Sequence, residues 1–264
     1  MSNYDKFFLA HLESFGSAFK DAMDKKDLSA IQGLTAFDIS RRWAVGNTGS
    51  LIMSYLFKET AKSYKIGANL PWLNYNTIQE NLRKRKISPQ RMDIVIDAFE
   101  EGGFIEVKKS IIKSLTTGIK SAWSIKLTDT WKYFLTQFKR EKKQTSTFPH
   151  ILGRIVYLSH LAKHKDIYNL PTGISSFRTL LIILENAGKS GYIDSAEGEK
   201  MFYKMGGVVL WHEVGEGDEI KKEDIKFFIE DDGTKKKINS KVLKAYNNYV
   251  IPNAQRNLRR MGLK

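Results

Sequence analysis

Three sets of residues in the 264-residue chain have types and spacings that chemistry uses. His160 and His164 stand four apart, so a helix would carry both imidazoles on one face, as metal ligands are carried. No Glu follows in the H-E-x-x-H pattern and the sequence shows no third ligand, so the expectation is solvated helix surface and no metal. Glu197, Glu199 and Lys200 only faintly suggest the Glu-x-Lys of a metal-dependent nuclease, and the upstream Asp194 is too close to complete such a site. Gly215 and Gly217 lack the Lys and Ser/Thr of a phosphate-cradling loop, and the acids from Glu213 to Glu219 around them repel phosphate. That run, and Glu230-Asp231-Asp232, read as solvated loops. No His-x-His pair stands with a tyrosine, as a rolling-circle nickase requires. With no cysteine, disulfides, thiolate nucleophiles and cysteine-ligated zinc are excluded. The expectation is therefore a protein without catalytic residues and without a cofactor.

Charge points elsewhere. The 43 Lys and Arg against 29 Asp and Glu give a net +14, a surplus that favours a polyanionic partner. On charge alone DNA, RNA and acidic membrane all remain open. No stretch approaches the roughly 20 apolar residues that span a bilayer, and Met1-Ser2-Asn3-Tyr4-Asp5-Lys6 lacks a signal peptide's basic start and apolar run. A cytoplasmic location is expected. Arg83-Lys84-Arg85-Lys86 is followed at once by Gln90 and Arg91, then by Lys108, Lys109, Lys113 and Lys120. Near the end, Gln255 to Arg260 reads either as a phosphate clamp or as a frayed helix end.

Local signals place these cations on elements. Asn76, with Gln79 three residues on, has the spacing of a capping box and predicts a helix to Arg83. Lys84 to Ile87 form a turn. Ser88 caps a second helix, with Pro89 at its first position, where the missing N–H costs nothing. Met92, Val95, Ile96 and Phe99 give that helix one apolar face, and Gly102-Gly103 end it. Phe104 to Ile112 and Ala122 to Leu127 read as two strands around the polar tip Ser114 to Gly118. Thr128 then caps a closing helix bearing Trp131, Phe134, Leu135 and Phe138. In a helix-turn-helix followed by a hairpin, the first turn of the second helix reaches base edges, where Arg pairs with guanine and Gln with adenine. Asp93, Asp97, Glu100 and Glu101 on that helix oppose this, because carboxylates repel phosphate. Asp93 and Asp97 would accept from cytosine or pair with the basic turn; otherwise the element is a dimerisation module.

Ile87-Ser88-Pro89-Gln90-Arg91, then Phe99 to Ile105, then Leu127-Thr128, resemble the winged-helix domain of bacterial regulators. The resemblance spans residues 47–139. It implies that Gln90 and Arg91, behind the Ser88 cap, touch bases. It also implies that Arg83, Lys84, Arg85, Lys86, Lys108, Lys109, Lys113 and Lys120 touch the backbone of double-stranded DNA. A second, divergent copy is suggested by Ile174-Ser175-Ser176-Phe177-Arg178 through Leu184 to Gly191-Tyr192-Ile193. Its DNA contact would be Arg178, with Met201 to Tyr203 and Val208 to Trp211 as its wing. A tandem arrangement resembles plasmid replication initiators. Leu34 to Thr48 reads either as a loose third helix-turn-helix or as the domain's entry, with Trp43 in the core.

The expected fold class is α+β, predominantly helical: a winged-helix domain with a possible second, winged-helix-like domain. Residues 1–46 supply helices for packing or dimerisation and 47–139 the winged helix. Lys139 to Thr147, basic and polar, lead into Phe148-Pro149, so 140–149 reads as the linker. Residues 150–264 form an α+β domain. Its helical patterns start at Ile151, Phe177 and Val242, the last of them stopping before Pro252, and Val208 to Trp211 make a strand. The expected function is sequence-specific duplex DNA binding without catalysis. The protein would be a homodimeric, nucleoid-associated replication initiator or transcription regulator of a bacterium, plasmid or phage. A metal-dependent nuclease and an interaction adaptor stay open as alternatives.

Overall fold

Asp27 and a left-handed Lys26 divide the first helical stretch in two. Lys26 adopts φ +55, which a helix cannot continue, and the Asp27 carboxylate accepts from the Ala30 N–H to start the next helix. The computed structural model describes residues 3–37, 46–114, 118–141, 147–164, 184, 192–193, 229–231 and 236–263. It is mostly helical, with short antiparallel sheets. The chain divides into two compact units, one made of 1–45 with 161–264 and the other of Gly46–His160.

In the first unit, α1 (Asn3–Asp24) and α2 (Leu28–Ala36) are followed much later by β4 (Tyr192–Ile193), β5 (Ile229–Asp231), β6 (Lys236–Ile238), α8 (Ser240–Ala245) and α9 (Ile251–Arg260). The apolar stripe Leu9, Leu12, Phe15, Phe19 and Met23 of α1 is buried, and α9 packs along it. The Asn257 amide donates to the Ala10 carbonyl, and the Arg260 guanidinium donates to both oxygens of the buried Glu13 at 2.6 Å. The basic end of the chain is therefore a packed helix rather than a frayed one. α8 lies on α2 so closely that a Cβ on Gly33 would sit 2.0 Å from the Lys241 carbonyl oxygen. Asp27 also accepts from Lys244 and from the Tyr249 hydroxyl. Burial works to raise the Asp27 pKa, but these donors and the Ala30 N–H outweigh it and hold it below the usual carboxylate value. The stop expected before Pro252 is absent. A π-helical turn (Tyr246–Val250) leads straight into α9 with helical backbone at Val250 and Ile251, so Pro252 sits within a continuous helical run, where it has no N–H to give to the preceding turn. The three strands pair antiparallel in the order β4-β6-β5. Arg178, the wing at 201–211, Trp43 and most of the suggested second and third copies lie outside the described residues.

In the second unit, the order is α3 (Gly46–Ser63), β1 (Leu73–Asn74), α4 (Tyr75–Arg83), α5 (Pro89–Glu101), β2 (Ile105–Ser114), β3 (Gly118–Leu127), α6 (Trp131–Glu141) and α7 (Thr147–Lys163), the last crossing the unit's boundary. β3 is central in an antiparallel sheet, with Leu73 opposite Ile125 and Ile105 opposite Leu127. The inward residues Ile125 and Leu127 meet Ile78, Leu82, Val95, Ile96, Phe99, Phe104 and Trp131 in one core. The Trp131 indole donates to the Phe104 carbonyl at 3.0 Å, which satisfies a buried polar group.

Two caps differ from the sequence reading. Asn74, not Asn76, starts α4, accepting from the Asn76 and Thr77 N–H groups, because β1 runs directly into the helix. Thr128 does not cap α6; its hydroxyl donates back to the Gly103 and Phe104 carbonyls, tying the end of β3 to the loop after α5. The unit also runs past the expected linker. α7 and α3 cross at paired glycines, where a Cβ on Gly153 would lie 2.4 Å from the Gly49 carbonyl oxygen. Nearby, the buried Arg154 donates to Ser50, and Ser50 donates to the His150 carbonyl.

Candidate nucleic-acid interface

Each cation of the α4–α5 turn is exposed: Arg83, Lys84, Arg85 and Lys86. The reason is geometric. α4 commits Ile78 and Leu82 to the core, and the Ile87 N–H bonds back to the Leu82 carbonyl, so the residues between are pushed outward as a loop. Lys86 closes the loop at φ +61, in the left-handed region that glycine normally fills. Ser88 then caps α5 as its sequence predicts, its Oγ accepting from the Arg91 N–H at 3.3 Å. Gln90 and Arg91 are exposed on the first turn of α5, within a few residues of the basic loop.

The hairpin brings fewer cations to one surface than the sequence suggests. Lys108 and Lys109 are both exposed, but neighbours on a strand point to opposite faces. Lys109 sits opposite Trp123 in the ladder, and its ammonium lies 4.2 Å from that ring's centroid. Lys108 belongs to the other face, with Lys126. There Lys126 pairs with Glu106 at 2.8 Å and lies 5.0 Å from the exposed Trp72 ring. Lys113 and Lys120 are placed by the ladder, opposite Ile119 and Ile112, and their side chains lie outside the described residues.

The acids of α5 separate into two groups. Asp93 is half-buried and accepts a hydrogen bond from the Tyr75 hydroxyl. It neither faces the basic turn nor projects from the helix to read a base. Burial raises the Tyr75 pKa, and the adjacent Asp93 and then Asp97 raise it further, so the phenol stays protonated and keeps donating. Tyr75 also stacks obliquely on Trp123 at 5.2 Å. The four residues Tyr75, Asp93, Trp123 and Lys109 thus join α4, α5 and the hairpin in one chain of contacts. Asp97, Glu100 and Glu101 remain exposed, all on the last two turns. The helix therefore has a neutral-to-cationic start and an acidic end. Sequence reading missed Tyr75 as the partner of Asp93, though an aromatic next to a helix cap was a visible signal. It also missed Ile94, which stands 42% exposed on the outer face of α5. Sequence reading also missed Glu101 as the partner of His160: its Oε2 lies 2.7 Å from the His160 Nδ1.

Comparison with protein families, with curated proteins and with solved structures finds no match for this chain.

Proposed function

We propose that residues 46–160 form a winged-helix module that binds duplex DNA in a sequence-specific way, with α5 as the recognition helix. The observation that carries this reading is the run of four exposed cations that ends at the cap of α5, with Gln90 and Arg91 exposed on the first turn beyond it. Phosphates passing the loop would fix the register, and the first turn of α5 would meet base edges. The tie between Asp93 and Tyr75 supports it, because it removes from that turn the carboxylate nearest to the phosphates. With Arg83, Lys84, Arg85, Lys86 and one wing lysine on phosphates, log K would fall with log salt at a slope of about −4 to −5. The proposed setting is a replication initiator or transcription regulator acting as a homodimer in the cytoplasm, without catalysis.

Selection of bound sequences from a random duplex pool at physiological salt tests the reading. An enriched motif is expected, as direct repeats for an initiator or as an inverted repeat for a dimeric regulator. Binding without enrichment that vanishes as salt rises refutes sequence-specific recognition. A second reading, a protein-interaction adaptor, is favoured by the exposed Ile94 and the acidic end of α5. Unchanged DNA mobility at low salt would select it.

A further inference from the structure

The outward face of α5 holds one aliphatic side chain among polar ones. The core face is committed to Met92, Val95, Ile96 and Phe99, all buried. Away from it, Gln90, Arg91, Ile94, Asp97 and Glu101 are exposed. At about 100° per residue, Ile94 lies about 40° around the helix axis from Gln90 and about 60° from Arg91, between the two and one turn further on. Its side chain stands 42% exposed. We infer that Ile94 is a specificity residue that meets the 5-methyl group of a thymine in the major groove, an inference that rests on α5 being the recognition helix of a duplex-DNA interface.

The chemistry of the groove selects that partner. Base edges in the major groove present hydrogen-bond donors and acceptors and a single apolar group, the thymine methyl. Gln90 and Arg91 suit the polar edges, and neither suits the methyl. An aliphatic side chain set between them does. The exposed cations Arg83, Lys84, Arg85 and Lys86, in the turn that leads into α5, give these surroundings the charge that a polyanion needs. Isoleucine is branched at Cβ and holds one preferred rotamer in a helix, so ordering it against a base costs little entropy. Asp93, next to Ile94 in the chain, is turned aside by its hydrogen bond from the Tyr75 hydroxyl. Beyond Ile94 the outward face becomes acidic at Asp97 and Glu101, which confines the part that suits DNA to the first two turns. The bound site should therefore hold a thymine beside the adenine or guanine that Gln90 and Arg91 read.

The test starts from the duplex that the full chain selects from a random pool. Each thymine of that site is replaced in turn by deoxyuridine, which removes one methyl group and keeps every hydrogen-bonding atom, and affinity is measured by anisotropy. One position should weaken binding about fourfold, the worth of one buried methyl group. Ile94→Ala should weaken binding to the thymine site by at least that factor and should abolish the uracil penalty at that position. Its urea midpoint should stay near the parent's, because the side chain is exposed and alanine favours the helix. If the pool yields no enriched site, the DNA reading and this inference fall together. An enriched site at which no uracil matters, or a uracil penalty that Ile94→Ala leaves intact, overturns the inference alone and leaves the DNA reading standing. Unchanged DNA affinity in Ile94→Ala together with lost self-association also overturns it, and assigns Ile94 to a protein surface.

Discussion

Replacing Gly153 by alanine tests the α3–α7 crossing on which the second unit rests. An alanine Cβ there would stand 2.4 Å from the Gly49 carbonyl oxygen and 2.6 Å from the Met53 Cβ. Ordinary contact needs about 3.4 Å or more, so the shortfall is about 1 Å. Neither neighbour can rotate away, because one is backbone and the other is fixed to it. The helices must part, and a gap of about 0.5–1 Å forfeits a quarter to a half of the dispersion along the crossing. Overpacking of this kind costs about 1–3 kcal/mol, and rigid neighbours place it near the top of that range. Against this, alanine in a helix interior gains about 1 kcal/mol over glycine. The net expectation is a loss of about 2 kcal/mol, whereas a helix with nothing against it would gain about 1. Urea unfolding of the full chain, followed by tryptophan fluorescence, measures the difference. Gly49→Ala meets the Gly153 oxygen at 2.3 Å and should behave alike, and the double variant should lose less than the sum, because the helices have already parted. A Gly153→Ala midpoint equal to or above the parent's would refute the close crossing and detach α7 from this unit.

Four further outcomes are expected. Arg91→Ala should weaken binding to a selected site by about 1–3 kcal/mol and relax its specificity; an equal loss on every sequence, measured by anisotropy, would remove Arg91 from base reading. Tyr75→Phe should cost about 1–3 kcal/mol in urea unfolding, because Asp93 loses its donor while still half-buried. Lys86→Gly should stabilise the fold by about 0.5–1 kcal/mol, relieving a left-handed lysine at φ +61, yet should lower the DNA salt slope by about 0.9; if Lys86 touches no phosphate, the slope will not move. Burial lowers the His11 pKa despite the Phe7 carbonyl, and burial followed by Arg154 lowers that of His150. Below about pH 6.5 the unfolded chain takes up protons that the folded chain refuses, so the urea midpoint should drop as pH falls from there towards the folded values. His11→Gln should flatten part of that drop.

The sequence carried the start of α5, the turn before it and the hairpin after it, because each is set by neighbours in the chain. Ser88 caps its own helix, and Gly103 takes φ +73 two residues after α5 ends. Contacts made across the fold were not legible. The basic run at 139–147 suggested a boundary, yet α7 beyond it packs on α3 through two glycines, and a missing side chain leaves no hydrophobic signal to read. In the candidate site, the exposed cations were visible as a run of charge. The partition of the α5 acids was not, because it depends on Tyr75, eighteen residues before Asp93. Strand alternation was available from the sequence and would have separated Lys108 from Lys109 once the register was known.

The pairing of α1 with α9 has a consequence for synthesis. Their hydrogen bond from Asn257 to Ala10 joins residues 247 apart. At about 5–20 residues per second, the ribosome takes about 12–50 s to cover that interval. Throughout it, the apolar stripe of Phe15, Phe19 and Leu34 has no α8 or α9 to cover it, while residues 46–160 can already have folded. The nascent chain therefore presents a sticky amphipathic helix for tens of seconds, which makes it a natural client for chaperones that hold nascent chains. Slowing translation should raise aggregation through α1 and α2, and leave the interposed unit unaffected.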